Sequence, residues 1–330
     1  EAYFHRLKDF CTKANEKGVV VEIVFFTAIY NPKLWLNSPL NPINNVNSTE
    51  DIPYNEFHLL KHKELVGRQL EMVAKIVEEV NDFDNVYFEI CNEPYWLKGI
   101  PEHEKSVTEQ QFLPEIEEWQ ALVAKKIVET ENRLSKRHLI AQNIANTYFK
   151  VKAVNPAVSI LNFHYAFPPT VVGDNYHLQL PIAFDETADG NSAPDRRKEA
   201  WAFILAGGAV YSNLDWSFAI DDPTGLGRNP TGRRISGKEV REQLRVLVNI
   251  VKQFDYIHAH PMRSDEFDSL PDNLRVQGLK IPDKSYLCYF YKEKKVQPGQ
   301  FGLTVGNGGY LVTCIDPIDG TVIFQDRIVT

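Results

Sequence analysis

Apolar positions along residues 1–258 fall into two alternating textures. Tyr3 to Glu16, Leu65 to Val80, Glu115 to Leu134, Arg196 to Ala206 and Lys238 to Phe254 carry the spacing of amphipathic helices. Between them lie short, continuous apolar runs: Val19 to Phe26, Val86 to Ile90, His138 to Gln142, Val158 to Phe163, Leu180 to Phe184 and Gly208 to Leu214. Continuous runs, as opposed to alternating ones, are how parallel strands read when both faces are buried. Lys17-Gly18 is a helix-stop signal ahead of the first run. A repeated series of strand and helix, with no strongly glycine-rich phosphate loop after its first strand, predicts an α/β fold of the (β/α)8 TIM-barrel type over a doubly wound nucleotide fold. Only six strands are visible and the first element is a helix feeding a strand. The first two barrel strands are therefore expected upstream of Glu1, missing from this chain.

From about Pro261 the texture becomes short strands punctuated by turns. These are Leu274 to Gln277, Ser285 to Lys292, Phe301 to Val305, Tyr310 to Ile315 and Thr321 to Phe324, with Pro282-Asp283, Asn307-Gly308-Gly309 and Asp319-Gly320 between them. The expected organisation is a barrel domain over 1–260 and a small C-terminal antiparallel β-sandwich module over 261–330. Asp221 to Gly237, rich in Gly, Pro and Arg, reads as a long loop after the last barrel strand, where barrels line their substrate face.

Composition narrows the function classes. A formal charge of −8 and a pI near 5.7 argue against nucleic acid as a partner. With 43% hydrophobic and 12% aromatic residues the chain can bury a large core, which sets aside disorder and collagen-like structure. The longest apolar run, Gly18 to Phe26, is broken by Glu22 and falls short of the roughly 20 residues of a spanning helix, so no membrane span is expected. No secretion-signal layout is present at Glu1, so the chain reads as mature or as part of something longer. Cys11, Cys91, Cys288 and Cys314 are too scattered for a disulfide framework or a zinc site, with a Cys288–Cys314 bridge left open. Neither a metal nor a cofactor is called for, and no oligomeric state is indicated.

Strand Val86 to Ile90 runs into Cys91-Asn92-Glu93-Pro94, which places an amide and a carboxylate at the C-terminal end of a buried strand. Pro94 ends the strand pairing and turns the chain outward, so Glu93 is expected in the barrel mouth; the alternative is a loop-capping glutamate. Strand Pro181 to Phe184 ends in Asp185-Glu186-Thr187 in the same way, three strands further on and across the expected mouth. Two facing carboxylates are what glycoside hydrolysis needs, one as acid/base and one as nucleophile. His164-Tyr165 ends the strand between them. Tyr165 is placed to hydrogen-bond the nucleophile and hold it ionised and His164 to touch a sugar hydroxyl, though either is equally a packing residue. Adjacent strand residues face opposite ways, so whether both reach one site is left open, and both are kept as candidate substrate contacts. After the last strand, Trp216 offers an indole suited to a sugar face, with core packing as its alternative. Tyr30, Asn31, Trp35, Tyr95, Trp96, Asn143 and Asn146 follow other strands and supply the aromatics and amides that neutral sugars require. Asn47-Ser48-Thr49 matches a glycosylation sequon in a eukaryotic secretory setting only.

In this order, strand-Asn-Glu-Pro, strand-His-Tyr, strand-Asp-Glu and a late tryptophan, the chain over about Tyr3 to His258 resembles the retaining glycoside hydrolases of clan A, nearest to the cellulase-like family 5. The resemblance implies Glu93 as acid/base, Glu186 as nucleophile, Asn92 on the sugar 2-hydroxyl, Tyr165 on Glu186, and Trp216 under the sugar. It also implies a β-linked polysaccharide or oligosaccharide substrate and an exported, secreted or periplasmic protein. The family's usual strand-two arginine has no counterpart here, and its His-x-Tyr is replaced by adjacent His164-Tyr165. Two other classes stand beside this reading. One is a non-catalytic sugar-binding protein on a decayed barrel. The other is a metal-dependent sugar isomerase using Glu93, Glu186, His164 and Asp215, which lacks the expected ligand clustering.

Overall fold

The computed structural model describes residues 1–47, 49–95, 114–187, 192–218, 222–226, 237–292, 294–295 and 299–330. Trp96, Ser48 of the sequon, and much of the 221–237 loop lie outside them. The chain divides into two compact units, Glu1–Asn162 and Phe163–Thr330.

In the first unit, α1 (Ala2–Glu16) leads to β1 (Val21–Thr27), α2 (Lys63–Val80) to β2 (Val86–Asn92), and α3 (Pro114–Glu131) to β3 (Ile140–Asn146). The unit closes within β4 (Ile160–His164), and its strands follow the order β1-β2-β3-β4. β1 and β2 run parallel with Val21 opposite Val86 and Thr27 opposite Asn92, and β2 runs parallel to β3 with Phe88 opposite Ile140. Gly18 ends α1 because the turn needs φ +67°, which costs an L side chain strain, and Asn85 ties that turn down by donating to the Cys11 and Val19 carbonyls. α2 buries Leu65, Val66, Gln69, Val73, Ile76, Val77 and Val80, one stripe at helical spacing. β2 is buried along its length up to Cys91, as a strand covered on both faces must be.

One buried group in this unit makes stability depend on pH. His58 is 1% exposed, lies against Phe57 and Trp119, and neither ring nitrogen has a protein partner among the described residues. Burial lowers its pKa from 6.5 to about 4. The unfolded chain then takes up a proton that the folded imidazole refuses, so stability present above pH 6.5 is lost as the pH falls toward 4, by about 3 kcal/mol in all. At His138 burial also opposes protonation, but Glu131 at 2.6 Å and the Phe83 carbonyl at 2.8 Å outweigh it and raise the pKa. Its contribution has the opposite sign, so the comparison has to be made against His58→Leu. Chemical denaturation at pH 7 and pH 4.5 is expected to show a smaller acid loss in that variant; equal losses would sink the assignment.

In the second unit the remainder of β4 is followed by β5 (Ile182–Glu186), α4 (Ala193–Leu205), β6 (Val210–Tyr211) and α5 (Lys238–Gln253), with strand order β4-β5-β6. β5 and β6 are parallel, with Phe184 opposite Tyr211. Ser192 and Asp195 close a reciprocal capping box on α4. The βα series thus has six strands among the described residues, and a full eight-stranded barrel is not seen. After α5 come β7 (His260–Pro261), β8 (Phe267–Asp268), β9 (Leu274–Ile281), β10 (Ser285–Lys292), β11 (Gly302–Leu303), β12 (Gly309–Ile315) and β13 (Val322–Val329). They form antiparallel sheets ordered β10-β9-β7, β11-β8 and β12-β13.

Among the described residues these are three small sheets. β9 and β10 pack Leu279, Tyr289 and Tyr291 into a core with Trp201, Leu205 and Leu247 of the helices, whereas β13 is exposed throughout. Near Pro261, where the texture changes, strand pairing turns from parallel to antiparallel, and β9 and β10 share a core with α4 and α5. All four cysteines are free, so the open Cys288–Cys314 bridge is not made: Cys288 faces Met262 and Cys314 is exposed on β12. Among the described residues, no helix is long and apolar enough to cross a membrane.

Candidate functional site

In the first unit, β2 delivers Glu93 one residue past its end. The backbone there turns left-handed, with φ 48°, a conformation uncommon for a residue with a Cβ. The turn is held by Asn143 of β3, whose Oδ1 accepts the Glu93 amide at 2.8 Å. Asn143, expected to contact a sugar, is 1% exposed and lies beneath the Glu93 backbone. The Glu93 carboxylate is met on both oxygens: Tyr30 Oη donates to Oε2 at 2.7 Å and Asn146 Nδ2 to Oε1 at 3.3 Å. Asn92 Nδ2 donates to Tyr30 Oη at 3.1 Å and to Thr27 Oγ1 at 3.4 Å. Tyr95 Oη completes the array by donating to Asn146 Oδ1 at 2.6 Å. Tyr30, Asn92, Tyr95 and Asn146 are thus assembled around one carboxylate.

Sequence reasoning passed over Glu89. It is buried in the middle of β2 and accepts a hydrogen bond from Asn162 Nδ2 at 2.5 Å. The available signal was a glutamate inside an otherwise apolar strand, where an ionisable group persists only if paired.

The second unit builds around Glu186, the last residue of β5. Tyr165 Oη donates to Glu186 Oε1 at 2.5 Å, and His164 Nδ1 lies 3.4 Å from Oε2. Both His164 and Tyr165 therefore meet Glu186, although strand alternation leaves open whether adjacent residues share one side. β4 ends at His164, and Tyr165 takes φ 52° with its amide on the Glu186 carbonyl at 2.7 Å, so strand alternation no longer governs its direction. His164 Nε2 lies 3.3 Å from Asp185 Oδ1. His164 thus turns a different ring nitrogen to each carboxylate.

β6 is only two residues long, shorter than the expected Gly208 to Leu214, and Trp216 stands 46% exposed on the segment that follows it. Asp215 and Ser217 on either side of Trp216 are anchored by Arg241 of α5, which no sequence pattern singled out. The first unit also holds a cavity of about 660 Å³. It is lined by Glu117, Gln142, Tyr148, Phe149, Lys150 and Lys152 among others, and burial raises the pKa of Glu117 although Gln142 donates to it at 3.0 Å.

No family model and no curated protein matches this sequence. Among solved structures, the chain is similar to endo-glycoceramidase II from Rhodococcus sp. in complex with a five-membered iminocyclitol, with TM-score 0.46 and 13% identity over 84% of this chain and 70% of that one. The same enzyme in complex with a cellobiose-like imidazole gives TM-score 0.44 and 12% identity over 84% and 70% of the two chains. Its lactosyl-enzyme intermediate gives 0.43 and 13% over 86% and 72%.

Proposed function

We propose that the protein hydrolyses β-linked glycans by double displacement, with Glu186 as nucleophile and Glu93 as acid/base. The observation that carries this reading is the setting of Glu186. A carboxylate at the C-terminal end of a parallel strand is gripped on one oxygen by the Tyr165 hydroxyl at 2.5 Å and faced on the other by His164 at 3.4 Å. Such a grip fixes the carboxylate's rotamer, which is what attack at an anomeric carbon along a defined line demands. Glu93 protonates the departing glycosidic oxygen as Glu186 forms its bond to the anomeric carbon. It then takes a proton from the water that breaks that bond, leaving both carboxyl groups as they began. Asn92 contacts the sugar 2-hydroxyl and Trp216 lies against the ring's apolar face.

The test is the anomer released first from a soluble β-linked oligosaccharide, followed by proton NMR before mutarotation. The β-anomer is expected. Initial release of the α-anomer would refute double displacement, and glycan binding with no hydrolysis of any β-linked substrate would favour a binding protein.

A further inference from the structure

We propose that Arg241 is a positioning residue for Trp216, tying down the chain on both sides of the indole so that it meets a sugar as a preset platform. The inference rests on the reading of Trp216 as a glycan contact. Beyond β6 the chain leaves the sheet, and Leu214 adopts φ 48°. Asp215 Oδ1 accepts from the Ser217 amide at 3.0 Å and from Ser217 Oγ at 2.6 Å, while its Oδ2 pairs with Arg241 Nη1. The same nitrogen donates to Ser217 Oγ at 2.9 Å, and Nη2 donates to the Gly225 carbonyl at 2.7 Å. The guanidinium also lies over the Phe218 ring, 4.9 Å from its centroid. The same ring lies close against Gly225, where an added Cβ would come within 2.6 Å of it.

One planar cation therefore holds a carboxylate, a hydroxyl, a carbonyl and an aromatic face, and Trp216 sits between the first two. Burial works against ionisation of Asp215, but the Ser217 donors and Arg241 outweigh it and hold its pKa below the usual carboxylate value. The indole itself is 46% exposed. Arg241 bears on its aim through its chain neighbours Asp215 and Ser217, and ordering it before the ligand arrives removes that cost from binding. Lysine takes over the role only in part, because an ammonium on a flexible stem keeps the charge but does not reproduce the fork that reaches three acceptors at once.

Fluorine NMR of 5-fluorotryptophan-labelled protein reads the device directly. Trp35, Trp119 and Trp201 are buried, and Trp216→Phe assigns the signal in question. In Arg241→Met the Trp216 signal is expected to shift and broaden, KM for a β-linked oligosaccharide to rise about tenfold, and kcat to stay within about twofold, as for loss of uniform binding. Arg241→Lys is expected to fold as the wild type does and to show the same changes in smaller degree, which keeps the test open if the methionine variant does not fold. In a Trp216→Ala background Arg241→Met should add nothing, since coupled residues are non-additive. An unchanged fluorine signal, or a full additive loss in the double variant, would overturn the proposal. If Trp216→Ala leaves KM unchanged, the glycan role of Trp216 falls and this inference with it, while the chemistry at Glu186 stands. If Trp216→Ala raises KM and the Arg241 variants do not, only the inference fails.

Discussion

Glu186→Gln is expected to lower kcat/KM on aryl β-glycosides by at least about 10⁴-fold, the scale on which loss of a catalytic nucleophile acts. The amide matches the carboxylate in size and its oxygen can still accept from Tyr165 Oη, which now lies 2.5 Å from Oε1. Stability should therefore change by no more than about 1 kcal/mol, so the loss is one of chemistry and not of folding. Glu186→Ala adds a sign of its own. With the nucleophile cut back, azide can attack the anomeric carbon directly from the vacated face, forming one bond as the glycosidic oxygen leaves. The product is then an α-glycosyl azide from an activated β-glycoside. A Glu186→Gln protein that kept a tenth of its activity, or a β-azide from Glu186→Ala, would remove Glu186 from the role.

Glu93→Gln should give a different profile, because an acid is needed in proportion to how poorly the leaving group departs. For substrates with alkoxide or sugar leaving groups the expected loss is about 10² to 10⁴-fold, the usual range for a general acid. For a dinitrophenyl glycoside, which needs no proton to depart, the rate of the first step should be nearly kept and the intermediate should accumulate. The substitution loses one acceptor, since the new amide nitrogen faces the Asn146 Nδ2 donor, but the rest of the setting is kept. The contact that holds the left-handed turn is made by the Glu93 backbone amide to Asn143 and survives, and the new amide oxygen can still accept from Tyr30. Azide should restore turnover in Glu93→Ala through a β-glycosyl azide, since the second displacement then needs no base. Equal losses for good and poor leaving groups would argue that Glu93 holds the site together without moving a proton.

The strand ends were legible because they rest on local signals. The run Val86 to Ile90 followed by Asn-Glu-Pro places a carboxylate past a buried strand, and β2 extends over that run to Asn92. The same holds for β5, which ends on Glu186 itself. Orientation was less legible. Strand alternation left open whether His164 and Tyr165 share a site, and both meet Glu186 because Tyr165 has left the strand with φ 52°. Asn143 and Asn146 were indistinguishable as amides of one strand. One is buried under the Glu93 backbone and the other donates to its carboxylate.

What the sequence by itself determined is the inventory: a βα series with six strands, carboxylates at the ends of two of them, and turns punctuating an antiparallel C-terminal region. Periodicity and turn chemistry are relations between near neighbours in the chain, so they can be read without coordinates. What only the tertiary structure decided is which polar atoms meet. Tyr30 reaches Glu93 across 63 residues, Asn162 reaches Glu89 across 73, and Arg241 reaches Asp215 across 26. Each of these contacts depends on where packed helices and strands bring distant backbone segments, and on left-handed turns at Glu93, Tyr165 and Leu214 that no local propensity favours. Buried polar groups must find partners wherever packing leaves them, so such partnerships are fixed by the fold as a whole.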